Sequence, residues 1–162
     1  MKNYKVEIKW TILFVIMSVL WMLIEKLSGL HSTHIDKHMY LTNLFAIPAI
    51  IFYVLALRDK KKNFYRGEMS YKQGVISGII LSVLITLISP LTQWITSYII
   101  TPEYFPNVIK YSLETGYYNT LEEAESFFNY KNYVIQGLIW TLALGVVTTL
   151  IVMIFLRTKK NK

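Results

Sequence analysis

The chain has 162 residues, of which 54% are hydrophobic and only 17% are charged. Soluble domains are about a quarter charged, so this composition excludes an ordinary soluble domain and predicts one small membrane domain over residues 1–162. The sequence contains no cysteine, which excludes disulfides, thiolate metal sites and cysteine nucleophiles.

Two apolar segments in the first third of the chain are each long enough to cross a bilayer. They cover residues 10–29 and residues 39–57, and about 20 helical residues cross the hydrocarbon core. The second segment contains Pro48, which a membrane helix tolerates because neighbouring groups satisfy the freed carbonyl. We therefore predict two membrane-spanning helices joined by a polar turn.

Two further spans are predicted over residues 73–100, which Pro90 interrupts, and residues 133–156. Small residues recur every four positions in both: Gly74, Gly78 and Ser82 in the third span, and Gly137, Thr141 and Gly145 in the fourth. Such stripes let helix backbones approach closely in lipid. We expect the two helices to pack along these stripes; a pore or substrate groove along them is the alternative.

The polar segment between these two spans, residues 101–132, carries helix signals. Pro106 suits the first turn of a helix and Gly116 suits its end. Thr120 and Glu123 form a capping box for a second helix over residues 121–130. That helix is amphipathic, so we expect it to lie on the membrane face or to cap the bundle, and it could run on into the fourth span.

The predicted fold is an all-α polytopic bundle with four spans and a helical cap between the third and the fourth. Four spans place both termini and a basic hinge, residues 58–72, on one side of the membrane. That side holds thirteen of the seventeen lysines and arginines. The positive-inside rule predicts that this side is cytoplasmic and that residues 101–132 lie outside.

Several stretches of the sequence together resemble a known family. They are LWMLIEKLSGLH (20–31), TNLFAIP (42–48), ALRDKK (56–61), YKQG (71–74), SPLTQ (89–93) and EEAESFFN (122–129). They are similar to the small bacterial membrane proteins called domain of unknown function 4199. The resemblance implies a four-helix protein of the Gram-negative inner membrane that lacks an assigned activity. It also implies that the protein lies beside glycosyltransferases that act on polyprenyl-phosphate sugars. It carries over no catalytic residues.

The turn after the first span is rich in histidine. His31, His34, Asp36 and His38 lie within eight residues, and imidazoles and carboxylates are suitable ligands for zinc and other divalent metals. A helix that starts near His34 would place His34 and His38 on one face. Lys37 interrupts the cluster, however, so we expect a solvated polar turn without a metal or cofactor and keep a metal site as the alternative.

Four polar residues are predicted to line a cavity that faces away from the basic hinge. Glu25 is the one acid inside a predicted span, and ionisable groups in membrane helices are candidates for functional sites. Asn43, Gln93 and Gln136 lie in the other three spans, where they could face the interior and form hydrogen bonds between helices. This set is the best small-molecule site in the sequence; a structural role of Glu25 at the interface is the other interpretation.

The basic hinge contains six candidate residues for phosphate or lipid binding. They are Arg58, Lys60, Lys61, Lys62, Arg66 and Lys72. Each basic residue near an anionic leaflet contributes about 1 kcal/mol without any specificity, and this is the interpretation we favour. The alternative is a specific phosphate site that Arg58 and Arg66 clamp through paired hydrogen bonds.

The sequence has no nucleotide-binding loop, G-x-S-x-G or H-E-x-x-H motif, so we do not predict an enzyme. One function class is a non-catalytic membrane subunit or scaffold that contacts anionic lipid or a membrane-enzyme partner through the basic hinge. The other is a small transporter or flippase for a polyprenyl-phosphate-linked or other anionic lipid. Four short helices enclose little space, so we expect a homo-oligomer or a membrane-protein partner, and we expect no nucleic acid.

Overall fold

The computed structural model describes residues 4–158, and all regular elements in that range are helical. The helices are α1 (Lys5–Leu27), α2 (Ile35–Leu41), α3 (Ala46–Asp59), α4 (Tyr71–Ile95), α5 (Tyr104–Glu114), α6 (Leu121–Phe127) and α7 (Tyr130–Leu156). A 3-10 turn, Thr42–Phe45, joins α2 to α3, and the wide π turns Lys60–Phe64 and Thr96–Ile100 extend α3 and α4.

Within residues 4–158, four continuous helical stretches are long and apolar enough to cross a membrane. They are Lys5–Leu27, Ile35–Phe64, Tyr71–Ile100 and Tyr130–Leu156. The prediction of four spans is therefore confirmed. The second stretch extends well beyond the predicted 39–57, because its polar ends stay helical where hydrophobicity no longer marks a span.

The four spans alternate in direction and give the bundle two ends. The hinge end holds the start of α1, the segment between α3 and α4, and the end of α7. The cap end holds the turn between α1 and α2 together with α5 and α6. Four of the lysines on which the predicted orientation rests lie outside the described residues: Lys2, Lys159, Lys160 and Lys162.

Small residues bring α4 and α7 into close contact. A Cβ atom added at Gly74 would overlap the side chain of Met153, and one added at Gly78 would overlap that of Thr149. On α7, Gly145 lies against Ser82 in the same way. Because lipid is as apolar as the side chains, close backbone approach is a main source of helix association in membranes.

Near the cap end, at Gly137, the small-residue stripe of α7 no longer packs against another helix. A Cβ atom at Gly137 would meet no heavy atom of the described residues within 4 Å. Gly137 and Thr141 both line a cavity between the helices. The packing prediction is therefore wrong for Gly137, because this residue borders the cavity rather than α4.

The proline of the third span is accommodated locally. Pro90 lies inside α4 and lacks the N–H that would bind the carbonyl of Thr86. The hydroxyl of Ser89 donates to that carbonyl over 2.9 Å. The hydroxyl of Tyr130 donates to the carbonyl of Pro90 over 3.2 Å and ties the start of α7 to α4.

The cap helices begin and end at the signals that the sequence contains. Gly116 follows α5 with φ +70°, and Thr120 and Glu123 form the predicted capping box of α6. α6 does not run on into the fourth span. The side chain of Asn129 accepts from the backbone N–H of Asn132 over 2.9 Å and starts α7 as a separate helix.

Candidate functional site

A buried cluster of one carboxylate and two imidazoles lies at the cap end. It consists of Glu25, His31 and His38, and we call it the Glu25 cluster. Glu25 is 1% exposed and His31 is 2% exposed. One potential metal-ligating atom from each residue lies within 4.8 Å of the other two. Burying a carboxylate is costly unless partners compensate it, so the groups around Glu25 must supply hydrogen bonds or positive charge.

The turn after α1 returns the chain onto Glu25. The backbone N–H of Leu30 donates to the carbonyl of Glu25 and that of Gly29 to the carbonyl of Lys26, both over 3.0 Å. This pair of bonds is a Schellman motif, which needs a left-handed residue at its centre. Gly29 supplies it with φ +78°. The motif reverses the chain and places His31 beside the side chain of Glu25.

Each oxygen of the Glu25 carboxylate has its own partners. His31 Nε2 lies 3.1 Å and His38 Nε2 lies 3.5 Å from Oε2. The indole N–H of Trp21, one turn earlier on α1, donates to Oε1. Both imidazoles therefore converge on one oxygen, and the other oxygen is held by the indole.

Helix α5 closes the Glu25 cluster from the cap side. The hydroxyl of Tyr104 lies 3.4 Å from His38 Nδ1 and 3.1 Å from the hydroxyl of Tyr133. Burial raises the pKa of Tyr104 far above its usual value, so its hydroxyl stays protonated. The side chain of Asn107 donates to the carbonyl of His31 over 2.9 Å and fixes α5 to the turn.

In the structure His38 lies beside His31 rather than beside His34, the partner that helical spacing predicted. His34 precedes α2 and is exposed, so it does not join His38 on a common site. His31 takes that place, because the turn at Gly29 brings it inward. The expectation of a solvated turn is wrong for His31, which is buried. His31 Nδ1 is buried and has no hydrogen-bond partner among the described residues.

A cavity of about 460 Å³ lies between α1, α3, α4 and α7 in the half of the bundle near the cap. We call it the interhelical cavity. Of the four residues predicted to line such a cavity, Asn43 and Gln93 do so, whereas Glu25 and Gln136 are not among its lining residues. Glu25 is absent because its side chain faces the histidine turn.

The interhelical cavity is apolar with polar groups toward the cap end. Its polar lining residues near that end are Thr42, Asn43, Gln93, Thr96 and Tyr133. Aromatic and aliphatic side chains predominate in the deeper part, where Tyr53, Thr141 and Thr148 add hydroxyl groups. None of the described residues that line it carries a formal charge. Any ligand would therefore meet amide and hydroxyl groups near the cap and mainly apolar contacts below.

The interhelical cavity opens sideways between α3 and α7. Ile50 of α3 is 47% exposed, and Trp140 and Leu144 of α7 are 60% and 58% exposed. All three line the cavity. In a membrane this side of the bundle would face the hydrocarbon chains of the lipids.

The basic hinge is partly turned into the protein. Lys60 is 5% exposed, and its Nζ lies 2.9 Å from Glu7 Oε1, which also accepts from the hydroxyl of Ser77 over 2.5 Å. The prediction that Lys60 contacts lipid headgroups is therefore wrong, because the helix continues past Asp59 and directs it inward. Lys61 donates to the carbonyl of Leu156 over 2.9 Å at the end of α7.

The remaining basic residues of the hinge stay at the surface. Arg58, Lys62, Arg66 and Lys72 are exposed. The burial of Glu7, which precedes the first predicted span, was not predicted from the sequence. Its position one helical turn before the apolar run of α1 was the available signal.

Comparison with known proteins identifies the family and adds no close relative. A family model described as "Protein of unknown function (DUF4199)" matches residues 9–158. No curated protein and no solved structure shows a significant match. The expected resemblance is confirmed, and the chain belongs to this family of proteins of unknown function.

Proposed function

We propose that the protein is a non-catalytic membrane protein that holds a membrane lipid in the interhelical cavity. The observation that carries this proposal is the cavity itself. Its volume of about 460 Å³ falls within the range of about 300–1,000 Å³ that is usual for small-molecule sites, which are mostly apolar with a few polar groups.

The position of the opening favours a lipid over a water-soluble ligand. Ile50, Trp140 and Leu144 border the opening on the side of the bundle, where hydrocarbon chains surround the protein. An acyl or prenyl chain can enter there without crossing water, and its burial against apolar walls leaves no polar group unpaired.

The polar end of the interhelical cavity narrows the class of lipid. Asn43, Gln93 and Thr96 offer amide and hydroxyl groups to a headgroup or linker. Since no charged side chain is found among its described lining residues, a phosphate inside would lack a counter-charge. We therefore propose that the ligand is a lipid whose uncharged part occupies the cavity. An anionic headgroup, as in the transporter hypothesis, would lie outside it.

Filling the interhelical cavity tests the proposal. Gly137 lines it and leaves room for a side chain, so Gly137→Phe blocks the space. Ile139→Phe, at a position 60% exposed to lipid, is the matched control. We expect native mass spectrometry of protein purified in mild detergent to show a bound lipid in the wild type and in Ile139→Phe, and its loss in Gly137→Phe. Equal lipid retention in both variants would refute the proposal.

A second candidate function is the docking of a membrane-protein partner on the hinge end. The exposed side chains of Arg58, Lys62, Arg66 and Lys72 favour it, because clustered positive charge attracts acidic surfaces. Replacing these four residues by glutamine should release a co-purifying partner and leave lipid retention unchanged. Loss of lipid with retention of the partner would contradict this assignment.

We further propose that the protein lies in a bacterial inner membrane with both termini in the cytoplasm. The predominance of lysine and arginine at the hinge end supports this orientation. A reporter fused after Lys162 should be active only in the cytoplasm; activity only outside would reverse the orientation.

A further inference from the structure

We propose that the Glu25 cluster binds one zinc ion through Glu25 Oε2, His31 Nε2 and His38 Nε2. This metal site is distinct from the interhelical cavity and does not depend on the lipid proposal. It rests on the geometry, ligand chemistry and surroundings of the cluster.

The distances between the three ligating atoms suit a tetrahedral ion. Zinc binds nitrogen and oxygen at about 2.0–2.1 Å, which separates two ligands of a tetrahedron by about 3.3 Å. Glu25 Oε2 lies 3.1 Å from His31 Nε2 and 3.5 Å from His38 Nε2. All three atoms lie within 4.8 Å of one another. Small side-chain adjustments therefore suffice to coordinate the ion.

The donor set selects the type of metal. Two imidazoles and one carboxylate are typical zinc ligands, and three protein ligands leave a fourth position for water. Magnesium and calcium prefer oxygen ligands, and copper(I) prefers sulfur. The chain has no cysteine.

Neighbouring residues orient two of the three ligands, Glu25 and His38. The indole N–H of Trp21 donates to Glu25 Oε1 and leaves Oε2 for the metal. A metal on His38 Nε2 puts the ring proton on Nδ1, which faces the oxygen of Tyr104 at 3.4 Å. Tyr104 can then donate to Tyr133 at 3.1 Å. Metal-binding histidines usually make such a second hydrogen bond, and it orients the ring.

The metal-free alternative assigns the protons differently. In that state both imidazoles carry a proton on Nε2 and donate it to Glu25 Oε2, and the Glu25 cluster only stabilises the turn. A purely structural cluster of this kind has no affinity for zinc beyond that of exposed histidines, so metal binding separates the two states.

Titration of full-length protein in detergent with zinc chloride, after treatment with a chelator, tests the proposal. We expect about one ion per chain. His38→Ala and Glu25→Gln should weaken binding more than about 100-fold, and Tyr104→Phe about 10-fold, which is within the range for residues that orient ligands. His34→Ala is the matched control, because His34 lies in the same turn but is exposed, and it should bind like the wild type.

X-ray absorption of the zinc-loaded wild type keeps the test independent of how the variants fold. We expect nitrogen and oxygen scatterers at about 2.0–2.1 Å, with the outer-shell signal of imidazole. No binding by the wild type, equal binding by His38→Ala and the wild type, or a spectrum without imidazole would each overturn the proposal.

Discussion

The carboxylate of Glu25 and the imidazole of His31 lie 3.1 Å apart in the protein interior, although a helix end and a reversal of the chain separate them. Both side chains are almost completely buried. Removing one partner of a buried hydrogen-bonded pair leaves a polar group of the other unsatisfied. The turn at Gly29 therefore couples the geometry of the backbone to the integrity of the Glu25 cluster.

The first prediction concerns that turn. Gly29→Ala should destabilise the protein by more than about 1–2 kcal/mol, the usual cost of a left-handed non-glycine residue. An added Cβ would also overlap the side chain of Thr33. Thermal unfolding in detergent measures the change.

Gly116→Ala is the control for this prediction. Gly116 also has a positive φ, +70°, but a Cβ there would meet no atom of the described residues within 4 Å. It should therefore show the backbone cost alone. Equal losses in the two variants would contradict a special role of the turn at Gly29.

Features that depend on local sequence were predictable. The four spans follow from hydrophobicity, the capping box of α6 from Thr120 and Glu123, and the end of α5 from Gly116. Each is fixed by residues within one or two turns of the chain, so no tertiary information was needed.

The Glu25 cluster and the burial of Lys60 depend on contacts between distant elements. His31 joins His38 only because the Schellman motif reverses the chain, and Tyr104 reaches them from α5. Lys60 follows Tyr53 and Ala56 at helical spacing on a buried face. The burial of Lys60 could be predicted from this spacing only if the helix was known to continue past residue 57.

The second prediction separates the buried lysine from its exposed neighbour. Lys60→Met should cost about 3–5 kcal/mol, because it leaves Glu7 buried without its cation. Lys62→Met removes an exposed charge and should change the stability by less than about 0.5 kcal/mol. Chemical unfolding of both variants in detergent gives the comparison.

A double variant refines this prediction. Adding Glu7→Gln to Lys60→Met removes the charge that is left behind, so it should restore part of the lost stability. If the two single losses add up instead, Glu7 and Lys60 do not act as a pair.

The third prediction concerns the contact between α4 and α7. Gly78→Ala places a methyl group against Thr149 and should cost about 1–3 kcal/mol through overpacking. Gly137→Ala adds the same methyl group on α7, where no described atom obstructs it, and should leave stability unchanged or raise it. The measurement is the temperature of unfolding in detergent. A larger loss at Gly137 than at Gly78 would mean that the helices pack elsewhere.

The last prediction is a loss of stability at high pH that depends on Tyr104. Burial raises the pKa of Tyr104 above its usual value, which is about 10 in an unfolded chain. Below about pH 10 the phenol is protonated in both states, and its contribution does not change with pH. Above about pH 10 the unfolded chain releases this proton while the folded protein retains it, so stability falls by up to about 1.4 kcal/mol per pH unit. Tyr104→Phe should reduce this slope, whereas Tyr117→Phe, at an exposed position, should not. Equal slopes in the two variants between about pH 10 and pH 11 would show that the phenol of Tyr104 ionises in the folded protein.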